Sequence, residues 1–87
     1  MSIANPITVL NGALQLHQVE GGFKTSIDAV LLAAACPARA GQHILDLGCG
    51  VGSAGLCVLT RINDTHLTGL DIQTDHIGAA HQNAGLN

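Results

Sequence analysis

Residues 46–52 read Asp-Leu-Gly-Cys-Gly-Val-Gly, and Asp71 closes the next apolar run. Those residue types in that order suit a nucleotide-type cofactor. Gly48, Gly50 and Gly52 lack a Cβ, so the chain there can take positive φ and let a ligand approach its backbone. A helix leaving the turn adds unpaired N–H groups and a partly positive end. Asp71, at the tip of a strand, can accept both hydroxyls of a ribose. The glycines at 48, 50 and 52 bring the third one too early for the Gly-x-Gly-x-x-Gly dinucleotide fingerprint. Asp46, just before them, would also repel a pyrophosphate. A phosphate-free ligand with a cationic amino-acid end suits that carboxylate better, and S-adenosylmethionine (SAM) is such a ligand. A nicotinamide dinucleotide is the alternative.

The elements that must position these residues follow from local patterns. His43-Ile44-Leu45-Asp46-Leu47 predicts a short buried strand, and Ser53 to Arg61 predicts the helix leaving the turn, burying Ala54, Cys57, Val58 and Ile62. His66 to Asp71 predicts a second strand. A third helix is expected from Thr74 or Asp75, with Ile77, Ala80 and Ala84 on one face. Upstream, Asn11-Gly12 between apolar residues predicts a hairpin turn, after which Leu14, Leu16 and Val19 alternate with polar residues up to Gly21-Gly22. Thr25 and Asp28 have the spacing of a capping box, and Ile27, Val30, Leu31 and Ala34 extend a helix to Cys36. Hairpin, helix, strand, helix, strand, helix describes an α/β protein with parallel core strands and flanking helices. Two core strands leave at least one open sheet edge, so the residues read as the first part of a larger domain.

Composition narrows the classes. Eighty-seven residues make one small domain, and Phe23 is its only aromatic, so Leu, Ile and Val must carry a thin core. The net charge is −3, with Lys24, Arg39 and Arg61 as the permanent cations. That argues against a nucleic-acid surface, which needs clustered Lys and Arg. Cys36, Cys49 and Cys57 match no zinc or redox spacing and read as small buried side chains in a reducing compartment. His17, His43, His66, His76 and His81 are scattered, and no metal site is expected. The N-terminus shows no basic segment followed by an apolar stretch, and the run Ala29 to Cys36 is too short to cross a bilayer. A cytoplasmic location without membrane contact is expected.

The segment Leu45-Asp46-Leu47-Gly48-Cys49-Gly50-Val51-Gly52 resembles motif I of the class I (Rossmann-like) SAM-dependent methyltransferases. The resemblance implies a glycine loop around the methionine and ribose of the cofactor, Asp71 on the ribose hydroxyls and Ile72 packed on the adenine. Residues Glu20-Gly21-Gly22-Phe23-Lys24-Thr25-Ser26-Ile27-Asp28-Ala29-Val30-Leu31-Leu32-Ala33 are similar to the segment before motif I in bacterial N6-adenine methyltransferases acting on tRNA valine. That match implies Lys24 and Asp28 beside the methionine end. The similarity spans nearly all of residues 8–87. The cofactor-binding set is thus Asp46, Gly48, Cys49, Gly50, Gly52, Asp71, Ile72, Lys24 and Asp28. Other readings stand beside these. Asp28 also fits a plain capping partner for Thr25, Lys24 a solvated loop residue, Phe23 a core anchor and Asn5-Pro6 a turn.

The resemblance further implies a partial methyltransferase fold, with residues 1–22 as an N-terminal hairpin segment and 23–87 as the N-terminal half of a SAM-binding domain. One departure matters. The family carries an Asn-Pro-Pro-Tyr or Asn-Pro-Pro-Phe motif that positions the target amine, whereas the prolines here are Pro6 and Pro37. The family's acidic residue after its third strand is absent as well. No catalytic residue is therefore assigned. The expectation is the cofactor-binding part of an N6-adenine methyltransferase acting on tRNA, unable to transfer a methyl group alone. The alternative is a non-catalytic SAM-binding or subunit module whose open sheet edge a partner chain completes.

Overall fold

Alternating apolar residues build an antiparallel hairpin, β1 (Ile7–Val9) and β2 (Leu14–Leu16), in the computed structural model, which describes residues 6–19 and 27–87. Val9 pairs with Leu14 across a turn in which Asn11 and Gly12 both have positive φ, and the Ala13 N–H donates to the Leu10 carbonyl at 3.1 Å. Asparagine and glycine tolerate that conformation best, which is why the dipeptide marks the turn. Leu14, Leu16 and Val19 are buried as the alternation requires. The expectations for Asn5, Gly21-Gly22, Phe23, Lys24 and Thr25 lie outside the described residues.

Three helices and two parallel strands follow: α1 (Ile27–Ala35), β3 (His43–Leu47), α2 (Ser53–Arg61), β4 (His66–Leu70) and α3 (Thr74–Leu86). β3 and β4 pair in parallel, His43 opposite His66 through Leu47 opposite Leu70, so both strands end side by side where the glycine loop begins. The main core joins Leu14 and Leu16 of the hairpin to Ala33 of α1 and Leu56, Cys57 and Val58 of α2. A smaller cluster holds Val19, Val51 and Ala79. Arg61 ties α2 to α1: its Nη2 donates to the Ala33 and Cys36 carbonyls at 3.0 and 2.8 Å, at a helix end that has no basic residue of its own. α2 lies close on β4 because Gly55 carries no side chain. A Cβ there would stand 2.5 Å from Leu67 Cδ2.

Three expectations about faces need correction. β3 is covered on one side only: Leu45 and Leu47 are exposed, as is Leu70 of β4, because α2 packs on the opposite face. On α1 the stripe Ile27, Leu31 and Ala34 points outward, while Ala33 is buried and Val30 half-buried. On α3 the buried positions are Ala79 and Asn83, with Ile77 and Ala80 at the margin and Ala84 exposed. A buried asparagine turns that helix, and hydropathy cannot register it. In α2, Leu56, Cys57 and Val58 are buried, whereas Ala54 and Ile62 are half-buried.

Candidate functional site

The glycine loop is built by left-handed backbone and tied to the end of β4. Gly48, Gly50 and Gly52 have φ of 73°, 56° and 93°, a region that a Cβ makes costly. Two consecutive N–H groups, of Gly48 and Cys49, donate to the Leu70 carbonyl at 2.7 and 3.0 Å. The Gly52 N–H closes a turn onto the Cys49 carbonyl at 3.0 Å, and Gly52 itself is the residue that caps α2. Cys49 fits because its neighbour is also a glycine. A Cβ on Gly69 of β4 would lie 2.8 Å from Cys49 Sγ.

Asp71 leaves β4 directly into this loop. Its Oδ2 accepts from the Gly50 N–H and its Oδ1 from the Gln73 N–H, each at 2.9 Å. Those two donors hold the carboxyl below its ordinary range, and the nearby His76 ring and the Ile72 N–H act in the same direction. Asp46 behaves oppositely. Burial, and then the charge of Asp71, push its carboxyl up. One carboxylate is thus held ionised by the main chain, while no cation among the described residues offsets the charge of the other. The Cys49 thiol is pushed up by burial and by both aspartates, so it stays protonated and is no nucleophile.

A cleft of about 430 Å³ opens beside these groups, within the roughly 300–1,000 Å³ usual for small-molecule sites. Loop residues 48–51 and the carboxylates of Asp46 and Asp71 line it, and Asp28 of α1 faces it from across the loop. Of the expected set, Asp28, Asp46, Gly48, Cys49, Gly50 and Asp71 therefore meet in one cleft. Gly52 sits just behind as the helix cap. Ile72 stands at the rim, 99 % exposed, against a shallower pocket shared with Gly48 and Asp71. Lys24 is outside the described residues.

The cleft also contains Gln73 and His76, which sequence reasoning did not select. His76 lies against the loop, its Cδ2 4.0 Å from where a Gly50 Cβ would be, and its Nδ1 is 3.3 Å from Asp75 Oδ1. A position one turn into the helix after Asp71 was the available signal. Among the described residues no group of three His, Cys, Asp or Glu side chains could hold a metal ion, and no helix is long and apolar enough to cross a membrane.

The family model described as the methyltransferase small domain matches residues 14–87. A tRNA1(Val) (adenine(37)-N6)-methyltransferase of Vibrio parahaemolyticus is 38% identical over 64 residues, covering 74% of this chain and 27% of the relative. Proteins of the same name from Vibrio campbellii and Vibrio cholerae are 37% and 39% identical over 68 and 61 residues, covering 78% and 69% of this chain and 28% and 25% of theirs. The chain thus spans about a quarter of the length of the curated relatives it matches.

Proposed function

Because the chain belongs to the methyltransferase small-domain family, we propose that it is the cofactor-binding part of a SAM-dependent methyltransferase. The observation that carries this reading is the pairing of Asp71 with the glycine loop. Each Asp71 oxygen accepts a main-chain N–H, and a carboxylate has further lone pairs with which to accept the hydroxyls of a ribose. Asp46, whose ionised form is disfavoured by burial and by Asp71, gains a partner when an ammonium group enters the cleft. Gly48 and Gly50 leave room for close approach, Ile72 offers an apolar surface at the rim, and Asp28 faces the methionine end. Lys24 is assigned to that end on the family resemblance.

When bound, the cofactor supplies an electrophilic methyl group on a sulfonium. The chain's own residues bind and orient it, and orientation is the main catalytic contribution such a site can make. The relatives' names support an adenine N6 in tRNA as the acceptor. No Asn-Pro-Pro sequence occurs in these 87 residues, so the group that holds the acceptor amine lies on another segment or partner. In this reading residues 1–22 form the hairpin segment and 23–87 the N-terminal half of the SAM-binding domain, acting in the cytoplasm. Alone the chain binds cofactor without turnover. The exposed leucines and open edges of β3 and β4 favour a module that a further segment completes over a self-sufficient enzyme.

Thermal unfolding with S-adenosylhomocysteine (SAH) or NADH tests the choice of cofactor. SAH at a hundredfold over its Kd should raise Tm by about 10 °C or more for a chain of this size, and NADH should leave it unchanged. Stabilisation by NADH alone would overturn the reading in favour of a dinucleotide site.

A further inference from the structure

Asn83 is fully buried in α3, and every hydrogen-bonding group of its amide is used. Its Oδ1 accepts from the His17 N–H at 2.6 Å, and its Nδ2 donates to the His17 carbonyl at 2.9 Å and to the Val51 carbonyl at 2.8 Å. The reciprocal pair with His17 copies what a neighbouring strand would offer the edge left open beside β2. Asn87, one turn later, repeats the arrangement with Gln15: the Gln15 N–H donates to Oδ1 at 2.8 Å and Nδ2 donates to the Gln15 carbonyl at 2.6 Å. The two amides differ in one bond. Asn87 spends its second N–H on the Asn83 carbonyl within α3, whereas Asn83 spends its own on the glycine loop.

Val51 lies between Gly50, whose N–H holds Asp71, and Gly52, which caps α2. Its side chain packs with Val19 beyond the hairpin and Ala79 of α3. We propose that Asn83 is a positioning residue for the cofactor site: it fixes the glycine loop through the Val51 carbonyl and couples the loop to the seating of the N-terminal hairpin. The inference deepens the cofactor reading and rests on it for its functional consequence. Asn87 is the internal control: the same residue type at the C-terminal cap of the same helix, with the same kind of ladder but no bond to the loop.

Amide hydrogen exchange followed by NMR on the whole chain, with SAH titration of each variant, tests it. In Asn83→Ala, exchange at Gly50 and Gly52 should accelerate by about tenfold beyond that at Val58 in α2, the scale of one lost buried hydrogen bond. SAH affinity of the folded variant should fall by a similar factor. Asn87→Ala should lower stability while leaving loop exchange in step with Val58 and the SAH affinity unchanged. If the alanine variant does not fold, Asn83→Ser carries the same comparison, because its hydroxyl keeps one donor. Loop amides in step with Val58 in the folded Asn83 variant would overturn the proposal. Selective loop exchange in the Asn83 variant, together with a wild-type chain that ignores SAH, would uphold the positioning role and sink the cofactor reading instead.

Discussion

At the scale of single residues the site rests on two carboxylates with opposite environments. Main-chain donors hold Asp71 ionised, while burial and its neighbour disfavour the charge on Asp46. The unfolded chain binds the Asp71 proton more tightly, so that group stabilises the fold above about pH 3.8 and the contribution is lost as pH falls through its lower folded value. For Asp46 the folded chain binds the proton more tightly, so stability falls as pH rises from about 3.8 through its raised folded value. We therefore expect Asp46→Asn to raise the Tm of the ligand-free chain at neutral pH and to flatten the decline above pH 3.8, while weakening SAH binding. A Tm that drops at neutral pH in this variant would contradict the assignment. That Asp46, the glycines and Asp71 come together was legible in the sequence, because their spacing puts them at the ends of two neighbouring strands. His76 and Gln73 were not, since a residue type that fits any helix or turn becomes informative only once α3 carries it to the cleft.

At the scale of elements, the order hairpin, helix, strand, helix, strand, helix was legible because Asn11-Gly12, the helical spacing of apolar residues and the two apolar runs each act locally. Which face each element buries was less so. β3 and β4 contain apolar residues on both faces, and only packing decides that Ile44 and Leu67 turn inward while Leu45 and Leu70 do not. α3 was misread by one position, because a buried asparagine anchors it through backbone partners far away in sequence. The contact between β4 and the loop gives a sharp test. Gly69→Ala would set a methyl group against Cys49 and shift the loop, so we expect a loss of about 1–3 kcal/mol, the usual cost of overpacking, and weaker SAH binding. Combining it with Cys49→Ala should recover part of both. Urea unfolding of the single and double variants measures the coupling, and purely additive losses would show that the two sites do not touch.

At the scale of the whole molecule, a two-stranded parallel sheet with leucines exposed on one face is half of an architecture. Parallel strands occur almost only in sheets covered on both sides. Leu45 and Leu47 are 57% and 72% exposed, and an apolar groove of about 360 Å³ runs between α1, β3 and α2. The isolated chain should therefore self-associate with rising concentration in sedimentation experiments, and Leu45→Lys should reduce that association. A monodisperse wild-type monomer at high concentration would argue that the face needs no cover. If the two-stranded sheet already carries a working cofactor site, calorimetric titration with SAH will register it. We predict saturable binding by the wild-type chain, weakened about tenfold or more in a folded Asp71→Ala variant, the scale of a lost hydrogen bond to a charged group. A folded wild-type chain that gives no binding heat, or an Asp71→Ala chain that binds equally well, would contradict the account.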